Sequence, residues 1–234
     1  MVRQEPDEAE RVDGGPATEP LGEELPSWQR RSVERSLEGA RTRARQRSDR
    51  FVNAALEFIL EEGSVDFTIQ DVVDRSGMSV RTFYSFFDGK DSLLLAIYET
   101  ILRKTAVPIL RELCDKETEP VLRLRALLSG LTERTATTNP TYRALSVFHL
   151  RLAESRSRDL AHALNPLRGF IVELLSEVEA AGKLRGDLDI TAQAELLLEL
   201  LLANAHTSIL SGVRRAGPED MWAFCSAAVL RTTS

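Results

Sequence analysis

The sequence predicts an all-α protein in which a short helix-turn-helix unit precedes a larger helical domain. Three observations carry this expectation. No run of residues alternates with the period of two that a half-buried strand requires. From Ser48 onward, apolar residues recur instead at spacings of three and four. Three helix starts then crowd between Thr68 and Asp88, the density of a compact unit of short helices.

Residues 1–40 are rich in Glu, Pro and Gly and lack a sustained apolar period, which is the composition of a disordered acidic extension. Trp28, Val33 and Leu37 hint at a transient helix inside it. A first helix begins near Ser48, with Phe51, Ala55, Phe58 and Ile59 on one face and Gly63 suited to end it. Thr68, with Asp71 three residues on, forms a capping box that opens a second helix. Ser79 can cap a third across 80–86. Asp88, with Asp91 three residues later, can cap a fourth that carries Leu93, Leu94, Ile97, Tyr98, Ile101 and Leu102.

Beyond Pro108 the pattern stays helical. Pro120 suits the first position of a helix holding Val121, Leu124, Leu127, Leu128 and Leu131. Leu145, Phe148 and Leu152 mark another at 141–155. Residues 157–181 are helical but broken or kinked at Pro166, and Gly182 closes them. A long helix at 192–211 is apolar around most of its circumference, and Gly217-Pro218 opens a last one with Met221, Trp222, Phe224 and Val229.

With 234 residues, 43% of them hydrophobic and 28% charged, the chain can bury a sizeable core. The formal charge of −6 argues against a nucleic-acid partner, because phosphate contacts carry most of such affinity. Divided by position, the objection falls. Residues 1–40 hold ten acidic and five basic side chains, and the remainder holds 26 and 25. Directly after the acidic segment comes RTRARQRSDR, where Arg41, Arg43, Arg45, Arg47 and Arg50 meet a single acid, Asp49. If helical, Arg43, Arg47 and Arg50 share one face; if extended, they form an arm suited to a narrow, electronegative minor groove.

Cys114 and Cys225 stand far apart without metal-ligand spacing, which implies neither a disulfide nor a zinc site and suits buried small apolar residues. The most apolar stretch, AELLLELLLANA, is interrupted by Glu195 and Glu199, and the N-terminus has no apolar leader region. A cytoplasmic protein with no membrane span is expected.

The segment GMSVRTFYSFFDGKDSLL carries the chemistry. Two short helices joined by a glycine-containing turn place the second in the major groove of DNA. Gly77 supplies the turn, while Val72, Val73 and Met78 pack the two helices together. Phe83 and Phe87 share a face at i and i+4, with Phe86 beside them, so those rings anchor the helix in the core. The opposite side offers Ser79, Val80, Arg81, Thr82, Tyr84 and Ser85. Arg81 can pair with guanine, Val80 can touch a thymine methyl, and the hydroxyls can donate to phosphate. Lys90, at the start of the fourth helix, can meet a phosphate, and Thr68 and Gln70 at the start of the second join the DNA-facing set.

With those residues in register, TIQDVVDRSGMSVRTFYSFFDGKDSLL resembles the DNA-binding segment of the TetR family of bacterial transcription regulators. The family pattern is an aliphatic pair, Gly-aliphatic-Ser, aromatic-Tyr, Phe, then Lys and Leu. Here it falls on Val72 and Val73, Gly77, Met78 and Ser79, Phe83 and Tyr84, Phe87, Lys90 and Leu93. The specific likeness covers residues 48–94, and the rest of the chain agrees only in length and helical content. Arg81 stands where many members carry Gly, so no base preference transfers. Beyond the acidic extension at 1–40 and the basic arm, both read from composition, the resemblance implies a DNA-binding domain within 41–92 and a ligand-binding and dimerization domain at 93–234. It further implies a homodimer on a near-palindromic double-stranded operator, most simply a repressor released by a small-molecule ligand.

The leucine-rich helix at 192–211 has more apolar circumference than one packing face requires, so with the helix at 218–231 it suits a four-helix bundle across a two-fold axis. Phe148, His149, Phe170 and Asn204, the last with His206 on an otherwise apolar helix, are candidate points in a ligand cavity. No nucleophile–base pair, phosphate-binding glycine loop or paired acids in register stands out. A helical enzyme or a protein-binding adaptor is therefore the alternative reading, and no metal or other cofactor is expected.

Overall fold

The computed structural model describes residues 26–62, 65–136, 140–210 and 216–231. Among them are eleven α-helices: α1 Ser27–Glu62, α2 Ile69–Ser76, α3 Val80–Tyr84, α4 Lys90–Ile101, α5 Val107–Cys114, α6 Pro120–Ala136, α7 Pro140–Ser155, α8 Ser157–Ala163, α9 Asn165–Ala180, α10 Ile190–Leu210 and α11 Pro218–Val229. Leu102–Ala106, between α4 and α5, is a π-helical turn. The described residues contain no strand. One isolated antiparallel bridge, Leu184 to Leu230, ties the turn after α9 to the end of α11.

Residues up to Ala44 form one unit and Arg45–Ser234 another. In the first, the expectation of a disordered extension is corrected from Ser27 onward, where the chain is helical. No residue from Pro26 to Ala44 is buried. A helix without a buried face has no apolar period to betray it. Residues of high helix propensity hold it, with opposite charges three apart at Arg31 and Glu34, Arg35 and Glu38, and Glu38 and Arg41. Gly63 lies outside the described residues.

In the second unit the stops and starts follow local chemistry. Thr68 caps α2 through a complete capping box with Asp71, and Gly77 ends that helix at φ 64°. Ser79 caps α3, which stops at Tyr84 rather than at 86. Asp88 does not cap α4: Gly89 takes that position without a side-chain hydrogen bond, and Asp88 pairs with Arg156 instead. Pro166 separates α8 from α9, and Gly182 turns the chain at φ 71°. Both cysteines are buried and free.

The buried side chains form one continuous cluster. Its head portion contains Phe51, Ala55 and Ile59 of α1, Val72 and Val73 of α2, Phe83 of α3, Phe87, and Leu93, Leu94 and Ile97 of α4. Its body portion is built around α6, which packs against α5, α9, α10 and α11. Helix α4 joins the two portions, because it leaves the head at Lys90 and packs against α7 and α8.

Candidate functional site

The turn between α2 and α3 is held from three sides. Gly77 adopts the left-handed conformation, and its N–H donates to the carbonyls of Asp74 and Val73. From α1, Arg50 Nη2 donates to the carbonyl oxygen of Ser76 at 2.6 Å. A Cβ at residue 77 would stand 3.3 Å from that same guanidinium nitrogen. Gly77→Ala is therefore expected to lower stability by about 1–2 kcal/mol, mostly through backbone strain, and a chemical denaturation curve reads it directly.

Helix α3 has a back and a front. Phe83 is fully buried, with its ring 5.4 Å from Phe51 edge-on and 5.3 Å from Phe87. Val80 is 41% exposed, Tyr84 is 56% exposed, and Arg81 is exposed between them. The hydroxyls nearby already serve the helix: Ser79 Oγ accepts from the Thr82 N–H at 3.1 Å and lies 2.8 Å from Thr82 Oγ1, while Ser85 Oγ donates to the Thr82 carbonyl. Val80, Arg81 and Tyr84 are thus the exposed side chains of α3 itself.

At the mouth of α2, Thr68 Oγ1 donates to Asp71 Oδ2 at 2.7 Å and accepts from the Asp71 N–H at 3.1 Å. The backbone N–H of Thr68 completes the box and holds the Asp71 carboxyl below the usual carboxylate range. Gln70 is exposed and donates to Asp74 Oδ1 at 2.7 Å. Lys90 Nζ donates to the carbonyls of Val65 and Phe67 at 2.6 and 2.5 Å and lies over the Phe67 ring. Burial and the Arg151 guanidinium lower its pKa from the ordinary lysine value. Lys90 therefore ties the approach to α2 onto the start of α4, fixing the angle at which α3 is presented.

Two ion pairs fasten α4 to the body. Asp91 Oδ1 accepts from Arg151 Nε of α7 at 2.7 Å, and Asp88 pairs with Arg156 at the start of α8. Two turns farther along α4, Tyr98 reaches a cavity of about 70 Å3. Its hydroxyl lies 3.1 Å from His149 Nδ1 of α7, and the His206 ring of α10 stands 4.7 Å from the His149 ring. Burial, followed by the neighbouring His206, lowers the His149 pKa to about 4. Burial also lowers the pKa of His206 and raises that of the Tyr98 hydroxyl.

The sequence profile described as "Bacterial regulatory proteins, tetR family" matches residues 51–97, which run from the first buried ring of α1 into α4. Residues 51–97 carry the DNA-binding segment of the TetR family. This helix-turn-helix segment is that of a DNA-binding transcriptional regulator. The segment is similar to the uncharacterized HTH-type transcriptional regulator YvdT of Bacillus subtilis, at 37% identity over 57 residues, 24% of this chain and 29% of that protein. A longer match, 25% identical over 138 residues, covers 57% of this chain and 71% of the HTH-type transcriptional regulator BetI of Brucella anthropi. The fold is similar to that of RolR in complex with resorcinol, with a TM-score of 0.64 at 17% identity, over 80% of this chain and 89% of that one.

In this TetR-type segment, the structure gathers Ser79, Val80, Arg81, Thr82, Tyr84 and Ser85 on one short element, with exposed Thr68 and Gln70 at the neighbouring helix start. Arg47 is exposed on the part of α1 within the second unit, and Arg43 is exposed in the first unit. Arg50 is a correction. Its guanidinium turns to the Ser76 carbonyl, so it supports the turn rather than standing ready for phosphate.

Three of the four expected cavity residues are also corrected. Phe148 is fully buried in the core, beside His149 in sequence but on a different face of α7. Phe170 is buried under the Arg111 guanidinium, 4.2 Å from its ring centre. Asn204 uses its amide in both directions, donating to the Ala216 carbonyl at 3.2 Å and accepting from the Ala216 N–H at 3.1 Å. Only His149 lines the cavity. The sequence reading missed Tyr98 as a cavity residue because it fits the apolar stripe of α4. The hint available was a phenol hydroxyl on a helix otherwise facing inward with aliphatic groups.

Proposed function

We propose that this protein is a dimeric transcriptional regulator, acting in the cytoplasm as a repressor and without enzymatic activity. In this reading residues 41–92 read a near-palindromic operator, while residues 93–234 dimerize and bind a small molecule that releases the DNA. The observation that carries it is the two-sided α3: an aromatic back sunk in the core and a front of Val80, Arg81 and Tyr84 left exposed. Burying Phe83 and exposing Tyr84 one residue later is what a helix pressed into a groove requires. The phosphate contact expected of Lys90 would use its remaining N–H or the backbone N–H groups at the start of α4.

The dimer reading rests on an apolar face left open by α10 and α11. Leu196 is 57% exposed and Phe224 is 67% exposed, and they border a groove of about 300 Å3 with Leu200 and Ala228. A second copy applied there would set two recognition helices about one DNA turn apart, roughly 34 Å. A ligand between α4 and α7 would act near the Tyr98–His149 contact, about 10 Å along α4 from the Asp91–Arg151 pair. Separation of those helices would then be felt at the base of the recognition helix.

The direct test is Arg81→Ala. An operator is first selected from randomised duplexes, and binding of both proteins is then measured against single-base variants. The expected loss is about 1–3 kcal/mol, concentrated at one base position in each half-site. Equal losses on operator and on random duplex would remove Arg81 from the reading surface.

A further inference from the structure

We propose that the cavity between α4, α7 and α10 takes a small uncharged molecule with an apolar body and one hydroxyl group, an alcohol or a phenol, whose hydroxyl seats on the Tyr98–His149 pair. This rests on the reading of the cavity as the ligand site and names the chemistry of its occupant.

The walls set the first condition. Leu102, Leu201 and Ala205 are typical of them, and among the described residues no Asp, Glu, Lys or Arg lines the space. The Thr135 hydroxyl, at one edge, is committed to the carbonyls of Leu131 and Thr132. On its outer side, His149 borders a separate groove in which Arg168 and Glu195 pair with each other. A carboxylate or ammonium entering the cavity would leave water without finding a counter-charge, which is costly.

The polar wall sets the second condition. Tyr98 and His149 share a hydrogen bond, with the His206 ring packed beside them, and burial favours the neutral form of each. A neutral imidazole offers one donor and one acceptor, and a phenol hydroxyl offers both. A guest hydroxyl also gives and receives one hydrogen bond. It can therefore complete the pair whichever imidazole nitrogen carries the proton, whereas an ether or ketone can only accept.

Volume sets the third condition. A void of about 70 Å3 is smaller than the roughly 150 Å3 that encloses benzene, so only the shortest alcohols fit directly. A four-carbon chain, which matches benzene in volume, or a single ring requires the half-buried Leu145 and Leu202 to give way.

The test uses the full chain without DNA. Binding of butan-1-ol and benzyl alcohol is measured by calorimetry and ligand-observed NMR beside butanoate, benzoate, benzylammonium and toluene. The expected result is that at least one alcohol binds, about ten-fold or more tighter than its charged counterparts and, for benzyl alcohol, than toluene. His149→Phe should erase the preference of benzyl alcohol over toluene while toluene still binds. Tyr98→Phe, which preserves ring volume, should do the same, and a thermal melt of each variant checks folding. The proposal is overturned if neither alcohol binds, if a carboxylate or ammonium binds as tightly, or if both folded variants keep the hydroxyl preference. An alcohol that binds yet leaves the operator occupied would refute induced release and leave this assignment standing.

Discussion

Phe83→Ala should lower the stability of the head by about 3–5 kcal/mol and abolish operator binding, while the helical body remains folded. The expected size follows from position. Phe83 is fully buried and meets Phe51 at 5.4 Å, Phe87 at 5.3 Å and Tyr84 at 5.4 Å, so truncation opens a cavity among rings that cannot collapse together. Helix α3 has only five residues and cannot hold its own conformation in water, so its geometry depends on this anchor. Denaturation followed by circular dichroism should show an early transition absent from the parent. Phe83→Leu, which keeps much of the volume, should recover most of the loss. Undiminished operator affinity in Phe83→Ala would mean that the back of α3 does not fix its front.

The second large effect is expected at the open face of α10 and α11. Leu196→Glu combined with Phe224→Glu places two charges where a second copy would have to desolvate them. The variant should sediment as a monomer, and affinity for a palindromic operator should fall by about 100-fold or more, since each half-site must then be bound without its tethered neighbour. Both side chains are largely exposed in the single chain, so folding itself should be little changed. A dimer that persists with full operator affinity would place the two-fold interface on another face.

What the sequence made legible was decided locally. The Thr68–Asp71 box, the Ser79 cap and the left-handed Gly77 each involve residues at most three positions apart, and all three stand in the structure as expected. The breaks at Pro120, Pro166 and Pro218 were readable for the same reason, because proline acts on its own backbone. The partners that eluded sequence reading are distant. Arg50 meets Ser76 and Lys90 meets Val65 across more than twenty residues, and an exposed-looking cation gives no sign that a carbonyl awaits it.

The cavity was harder still. Phe148 and His149 are adjacent, yet a rotation of about 100° per residue puts one in the core and the other at the void. The π-helical turn at Leu102–Ala106 was equally hidden, since the apolar pattern around it continues.

The ion pairs that join α4 to α7 and α8 stand where water reaches them. Under the proposed function, dissolved salt would therefore act on this protein at two distances from the nucleic acid. In the proposed reading, counterions would compete with the DNA-facing side chains for phosphate, and they also screen the attractions of Asp91 for Arg151 and of Asp88 for Arg156. The number of phosphate contacts inferred from an ionic-strength series would consequently include the stiffness of this joint. The joint makes the surrounding electrolyte a participant in how firmly the reading head is held.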